Sequence, residues 1–224
     1  MEPTFVPYRP ARYSPPEALA RAEAFRDLMA GRRSVRFFSS EPVPRPTIER
    51  LLATAAAAPS GANKQPWTFV AVSDPAVKGR IREAAEREEK RFYAQLAPGE
   101  WLRDLAPLGT DWVKAHITDA PWVIVVFAQD YGLAPDGSKS KHYYVNESVG
   151  IAVGLLVAAV RNAGLTALTH TPAPMEFLKR ELGRPANERA YVLMPVGYAA
   201  PDARVPDIHR KPLSETVVWV EGGQ

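Results

Sequence analysis

The chain has 224 residues, 46% of them hydrophobic and 24% charged, which is enough apolar material for one sizeable core. Its 28 Lys plus Arg stand against 25 Asp plus Glu, a balance without the dense cationic stripe that duplex nucleic acid demands, so no nucleic-acid partner is expected. The lack of cysteine excludes disulfide frameworks, thiolate metal sites and cysteine nucleophiles, and no metal site is expected.

Residues 1–16 form a Pro-rich extension without the apolar run of a secretory signal, and a cytoplasmic protein is expected. Ser14-Pro15-Pro16-Glu17 is built like a helix start, with a capping Ser, proline in the first turn and Glu three positions on. Leu19, Ala22, Phe25 and Leu28-Met29 then fall on one face of a helix ending at Gly31. A second helix is expected over 47–57, with Ile48, Leu51, Leu52 and Ala55 inward, followed by a short strand over 67–72. Asp74-Pro75 opens a long helix reaching Leu96, and a further helix is expected over 102–117.

A second, buried strand covers 122–128. The helix from Tyr143 to Ala163 is almost wholly apolar, but its uncharged run over 149–160 is shorter than the roughly 20 residues of a membrane span. It therefore belongs at the centre of the molecule or in an interface. A strand at 166–168, a helix at 174–182 and a strand at 191–197 complete the body, and the tail over 200–224 ends in Val217-Val218-Trp219-Val220, a candidate edge strand. With no repeat in the sequence, the pattern is that of one α+β domain over 1–224 whose tail reaches a partner subunit.

Four segments carry candidate chemistry. Gly31-Arg32-Arg33-Ser34-Val35-Arg36 offers guanidinium forks that match phosphate oxygens, although a cationic helix cap has the same make-up. Ala58-Pro59-Ser60-Gly61-Ala62 leads from a helix toward a strand with small residues that let a planar ligand approach the backbone; an ordinary turn looks alike. Thr169-His170-Thr171-Pro172 places hydroxyls after a short strand, and Arg210-Lys211-Pro212-Leu213 could bring a further cation to the same phosphate.

In this order and at these separations, the four segments resemble the flavin site of the nitroreductase superfamily, and most of all that of its iodotyrosine deiodinase subfamily. The resemblance runs from Gly31 to Leu213 and includes Pro66-Trp67-Thr68-Phe69-Val70 and Pro195-Val196-Gly197-Tyr198. It implies a central, mainly antiparallel sheet flanked by helices, and an intertwined homodimer with exchanged C-terminal tails and two interfacial FMN molecules. Arg32, Arg33, Ser34, Val35, Arg36 and Arg210 would hold the FMN phosphate, ribityl chain and pyrimidine end; Pro59, Ser60 and Gly61 would pack on the isoalloxazine. Thr169, His170 and Thr171 would line its edge, with the Thr171 hydroxyl donating to flavin N5 and favouring one-electron steps over hydride transfer.

The substrate must be read from the helical region over 75–118. Taken alone, Glu86-Arg87-Glu88-Glu89-Lys90-Arg91-Phe92-Tyr93 is a charged, solvent-facing helix. Within it Glu89 and Tyr93 stand one turn apart on one face, with Lys114 on the next expected helix. Their spacing, with Trp101 and Trp112 between, resembles the lid that closes over a halotyrosine in iodotyrosine deiodinases. Glu89 would meet the ammonium group, Tyr93 and Lys114 the carboxylate, and the backbone near Ala62 the phenolate. The implied reaction is reductive dehalogenation of 3-halotyrosines by reduced FMN, with NAD(P)H or a reductase partner as electron donor. A broad NAD(P)H-dependent nitro or quinone reductase, and a non-catalytic flavin or aromatic amino-acid binder, are the rival readings. The chain departs from the vertebrate pattern at His170, which replaces a Thr and whose backbone could still serve the flavin, in one residue fewer just after Pro172, and in lacking their N-terminal membrane anchor.

Overall fold

A computed structural model describes residues 3–95, 98–172 and 174–222. Leu96, the expected end of the long helix, and Ala173, beside the gap after Pro172, lie outside the described residues. The helices are α1 (Pro15–Ala30), α2 (Arg45–Ala56), α3 (Pro75–Gln95), α4 (Gly99–Leu105), α5 (His116–Asp119), α6 (Val145–Asn162) and α7 (Glu176–Glu181). The strands are β1 (Trp67–Val72), β2 (Trp122–Gln129), β3 (Tyr131–Leu133), β4 (Lys139–Lys141), β5 (Thr166–Ala167) and β6 (Glu188–Gly197).

The fold is built around β2, whose unbroken apolar sequence is that of a strand covered on both faces. It lies inside an antiparallel sheet of order β1-β2-β6-β5. Because side chains alternate along a strand, Val123, Val125 and Phe127 pack with Ile81, Ala85, Ile117 and Leu178 on one side. Ile124, Val126 and Ala128 pack with Leu51, Ala55, Val149, Ala152 and Leu156 on the other. Burying each large side chain in these layers stabilises by roughly 1.5–3 kcal/mol. Helix α6 is long and apolar enough by composition to cross a membrane, yet its Val149, Ala152, Leu156 and Val160 face is part of this core.

The α+β architecture with a mainly antiparallel sheet is as expected, and β1 begins and ends where the sequence places it. Five details differ. The helix expected over 102–117 is broken into α4, a short 3-10 turn at Ala106–Leu108 and α5, because Pro107 and the left-handed Gly109 (φ 57°) interrupt the backbone ladder. Lys114 therefore sits in the irregular segment before α5. Residues 131–141 form a hairpin, β3 with β4, that the sequence did not announce. Val217–Val220 form no strand. Ser14 caps α1 without a side-chain hydrogen bond. Helix α1 also fully buries none of its residues: Leu28 and Met29 are half-buried, but Leu19 is 61% and Phe25 54% exposed, so much of its apolar stripe is open among the described residues.

Candidate functional site

The cationic segment is fastened at the β5 edge of the sheet. Ser34 pairs with Ala167 in a parallel bridge, and the Val35 amide donates to the Ala167 carbonyl over 3.4 Å, which buries the Val35 side chain. Thr169, His170 and Thr171 follow directly after β5, and His170 bridges Leu193 on β6. The arginine segment and Thr169 thus face one cavity of about 570 Å³, lined by Arg32, Arg33, Ser34, Arg36, Thr169 and Arg210, while His170 and Thr171 line a neighbouring one.

The tail supplies the last of these cations. Arg210 donates to the carbonyls of Ala30 (2.9 Å) and Arg32 (2.6 Å), and Arg33 donates to the Pro206 carbonyl. Among the described residues, none of Arg32, Arg33, Arg36 and Arg210 forms an ion pair with a carboxylate. Burial first, then the neighbouring Arg210 and Arg33 charges, hold the Arg32 guanidinium below its ordinary pKa. Four cations gathered without anions form a site in want of a multiply charged anionic group.

A second cavity, of about 180 Å³, adjoins the first: Arg36, Leu168 and Thr169 line both. Its floor is an ionic cluster. Glu89 and Lys114, 8% and 2% exposed, pair at 2.5 Å. Tyr93 stands one turn beyond Glu89 on the wall of the same cavity, its ring 5.9 Å from the Lys114 ammonium. The loop that carries Lys114 is pinned by its own amide, which donates to Glu86 over 2.8 Å; Glu86 in turn pairs with Arg82, whose guanidinium reaches Thr118 Oγ1. Trp101 lines the cavity and stacks edge-on against Phe92 at 5.2 Å.

Burial by itself would raise the Glu89 pKa, but the bonds from His170 and Lys114 outweigh it and the net direction is down. Glu89 is therefore an anion at neutral pH. Burial, then the Glu89 charge, raise Tyr93, so its hydroxyl keeps its proton and can donate. The arrangement offers an anion, a cation and a hydroxyl donor within one small enclosure.

The structure places Glu89, Tyr93 and Lys114 on one cavity and Arg32, Arg33, Ser34, Arg36, Thr169 and Arg210 on the other. The structure does not bring Pro59, Ser60, Gly61 or Ala62 to either cavity within one chain. The Gly61 amide donates to Ser148 Oγ over 3.3 Å, and the Ser60 hydroxyl accepts from the Gln65 amide over 2.8 Å. A Cβ on Gly61 would lie 2.6 Å from the Tyr143 carbonyl oxygen, so only glycine fits there. Ala62, Asn63 and Gln65 all adopt positive φ (50°, 53° and 48°), a strained run that the small-residue motif did not reveal.

His170 does not turn its ring toward the arginine cavity. Its Nε2 lies 2.9 Å from Glu89 Oε1, and its backbone N–H and C=O are both taken by Leu193 at 2.9 Å, so the backbone donor once open to a flavin is occupied. Next to it stands His116, which the sequence reading missed. A lone imidazole two residues after Lys114 carries no motif; only the fold, which sets the start of α5 beside the segment bridged to β6, brings it to His170.

Comparison with known proteins agrees with this geometry. The nitroreductase family model matches residues 29–198. An iodotyrosine deiodinase of the bacterium Haliscomenobacter hydrossis is 52% identical over 97% of this chain and 98% of its own. The human iodotyrosine deiodinase 1 is 44% identical over 96% of this chain and 75% of its own. A crystal structure of oxidised iodotyrosine deiodinase bound to FMN and 3-iodo-L-tyrosine superposes with a TM-score of 0.73 at 32% identity, covering 89% of this chain and 99% of that one. A nitroreductase from Bacteroides fragilis with bound FMN shares the fold at a TM-score of 0.64 and 22% identity, covering 88% of this chain and 98% of its own. The chain belongs to the nitroreductase family and, within it, to the iodotyrosine deiodinase group.

Proposed function

We propose that the protein is an FMN-dependent oxidoreductase that removes halide from 3-halotyrosines. The observation that carries this reading is the contact between the two cavities: a cluster of unpaired cations on one side and a Glu89–Tyr93–Lys114 clamp on the other, sharing Arg36, Leu168 and Thr169 as a common wall. The relative whose structure holds both FMN and 3-iodo-L-tyrosine supports placing the two ligands side by side.

The donor set fits FMN. Arg32, Arg33, Ser34, Arg36 and Arg210 would hold its phosphate and ribityl chain, where uncompensated guanidinium charge awaits an anion. Thr171, exposed at the end of the 169–171 segment, would donate to flavin N5. When bound, FMN supplies the electrons: a halotyrosine takes up two electrons and one proton, its carbon–halogen bond breaks, and tyrosine and halide leave.

The chain's own groups select and orient the amino acid. Without ligand, Glu89 and Lys114 satisfy each other in a nearly dry site. A zwitterion inserted between them would replace one buried ion pair by two, its ammonium on Glu89 and its carboxylate on Lys114 and the Tyr93 hydroxyl. A ligand with only one of these charges would leave the other side chain buried and unpaired, which is costly. With a ligand in place, the Trp101–Phe92 wall would help to keep water from it.

The test is anaerobic. Protein loaded with FMN and reduced by dithionite should release one iodide per 3-iodotyrosine converted to tyrosine; binding without iodide release would leave a flavin or amino-acid binder, and rapid nitroarene turnover without halotyrosine affinity would leave a nitroreductase.

The functional unit of this reading is a homodimer. Three apolar surfaces wait for a partner: the Leu19–Phe25 stripe of α1, Ile151 on the outer side of α6, and Trp219 in the tail. The same association would bring residues 59–62 of one subunit toward the flavin of the other, with Pro59, Ser60 and Gly61 on the isoalloxazine and the Ala62 backbone on the phenolate. Light scattering should give twice the 24.6 kDa chain mass, and a monomer at micromolar concentration would defeat this assignment. NAD(P)H, directly or through a reductase, is the electron source that such an enzyme would use in the cytoplasm.

A further inference from the structure

The Glu89–Lys114 pair is backed by two imidazoles that the clamp itself does not require. His170 Nε2 lies 2.9 Å from Glu89 Oε1, and the contact is attractive only if Nε2 carries the proton. A neutral His170 then has only a lone pair at Nδ1. His116 Nε2 lies 3.4 Å from that nitrogen and must be the donor there. The rings meet edge-on, 80° apart with centroids 5.1 Å from each other. Both protons therefore point one way, from His116 through His170 to Glu89.

The relay has little freedom to rearrange. His170 is clamped on both backbone sides by Leu193, and His116 opens α5 with only 5% of its surface exposed. The charged groups around it are mostly cationic: Lys114 before α5, Arg36 on the segment beside β5, and Arg82 on α3, against Glu89 and Glu86 on α3. The Tyr93 phenol, also on α3, stays neutral. Burial depresses both imidazoles most; His116, lowered further by its neighbour His170 and then by Lys114, Arg36 and Arg82, falls to about 3. For His170 the Glu89 bond opposes burial without reversing it. At neutral pH both rings are uncharged.

A further proton on His170 Nδ1 would meet the His116 N–H head-on, donor against donor. It would also place a second cation beside Glu89, where an ammonium group has to bind. We propose that His116 and His170 are positioning residues for the clamp: their one-directional relay holds Glu89 in one orientation for an incoming ammonium group, and adding a proton to the relay abolishes that recognition while leaving the halogenated ring's own binding untouched. This rests on the clamp role given to Glu89 above. It assigns His170 to amino-acid recognition rather than to the flavin edge.

The test compares 3-iodo-L-tyrosine with 2-iodophenol, which has the ring and neither charge, by flavin fluorescence on the FMN-loaded protein between pH 5 and pH 8. In the wild type the ratio of 3-iodotyrosine affinity to 2-iodophenol affinity should fall as the pH drops below the ordinary imidazole range, the phenol ionisation that both ligands share cancelling in the ratio. His170→Ala should lose about tenfold or more in 3-iodotyrosine affinity at pH 8, the scale of a hydrogen bond to a charged group. His170→Gln, which keeps a donor but cannot titrate, should recover most of that loss and flatten the pH profile.

Equal 3-iodotyrosine affinity in His170→Ala and wild type would overturn the positioning role, and an unchanged acid-side fall of the 3-iodotyrosine to 2-iodophenol affinity ratio in His170→Gln would overturn the proton dependence. Failure of the wild type to bind 3-iodotyrosine at pH 8 would instead remove the clamp reading and this proposal with it. Nitrogen-15 NMR of the wild-type imidazoles gives a readout free of folding effects. The relay requires the Nε2–H form of both rings at pH 7, and an Nδ1–H form of either would overturn it.

Discussion

Glu89→Gln is expected to raise the dissociation constant for 3-iodotyrosine by about a hundredfold and to destabilise the ligand-free protein by about 3–5 kcal/mol, read by fluorescence titration and by urea unfolding. The side chain is nearly isosteric, so packing changes little and the effect is electrostatic. Lys114, 2% exposed, would lose the only carboxylate it pairs with among the described residues and remain as a buried cation. An amide cannot offset an ammonium charge, and the incoming substrate ammonium would lose its counter-ion as well. FMN affinity should stay within about threefold, because the guanidinium cluster stands on the other side of the Arg36–Thr169 wall. Adding Lys114→Met to Glu89→Gln removes the orphaned charge and should restore most of the stability while leaving the affinity low. Recovery of affinity in the double variant would show that Glu89 serves the fold and not the ligand.

This dual role also explains what the sequence could and could not disclose. Glu89 stands in the most charged stretch of the chain, and charge density normally marks a solvated face. Helical spacing puts Glu89 and Tyr93 on one side, but only burial shows that this side faces inward. The strands were easier to read. The run over 122–128 is apolar without alternation because α2 and α6 cover one face of β2 while α3, α5 and α7 cover the other. The helix expected over 102–117 failed because its apolar spacing was followed across Pro107 and Gly109, which end α4 and the turn after it. The inward face assigned to α1 has the right periodicity, but within one chain only its end at Leu28 and Met29 is partly covered, while Leu19 and Phe25 stay exposed.

The arginine motif was legible as chemistry but ambiguous as location, since a helix end collects cations in any case. What resolves it is Arg210, which returns from 178 residues downstream to donate to the Arg32 carbonyl. A separation of that size leaves no local pattern. The same holds for His116 and His170, 54 residues apart, which meet where the start of α5 lies beside the segment bridged to Leu193 on β6. Long-range pairs of this kind are set by the sheet order β1-β2-β6-β5, and each element would look the same in sequence under a different order.

The His116 imidazole makes a second large effect measurable without any ligand. Its ordinary pKa of 6.5 falls to about 3 in the folded protein, chiefly through burial and then through His170 and Lys114. The unfolded chain thus binds a proton between these values that the folded chain refuses, and stability must rise with pH throughout that window. On acidification the loss begins near pH 6.5 and continues toward pH 3. By pH 5 it amounts to about 2 kcal/mol, at about 1.4 kcal/mol for each pH unit travelled below 6.5. His170 is depressed as well and adds in the same direction, whereas the lowered Glu89 contributes its loss only at more acid pH, below the ordinary carboxylate value of 4.5. Urea unfolding of the wild type at pH 7 and pH 5, at one fixed protein concentration, should show the fall. His116→Gln cannot take up the proton, so its stability should drop by about 2 kcal/mol less over the same interval, whatever its starting value. An equal drop in both proteins would mean that His116 is hydrated or already charged in the folded state, and the neutral relay to Glu89 could not stand.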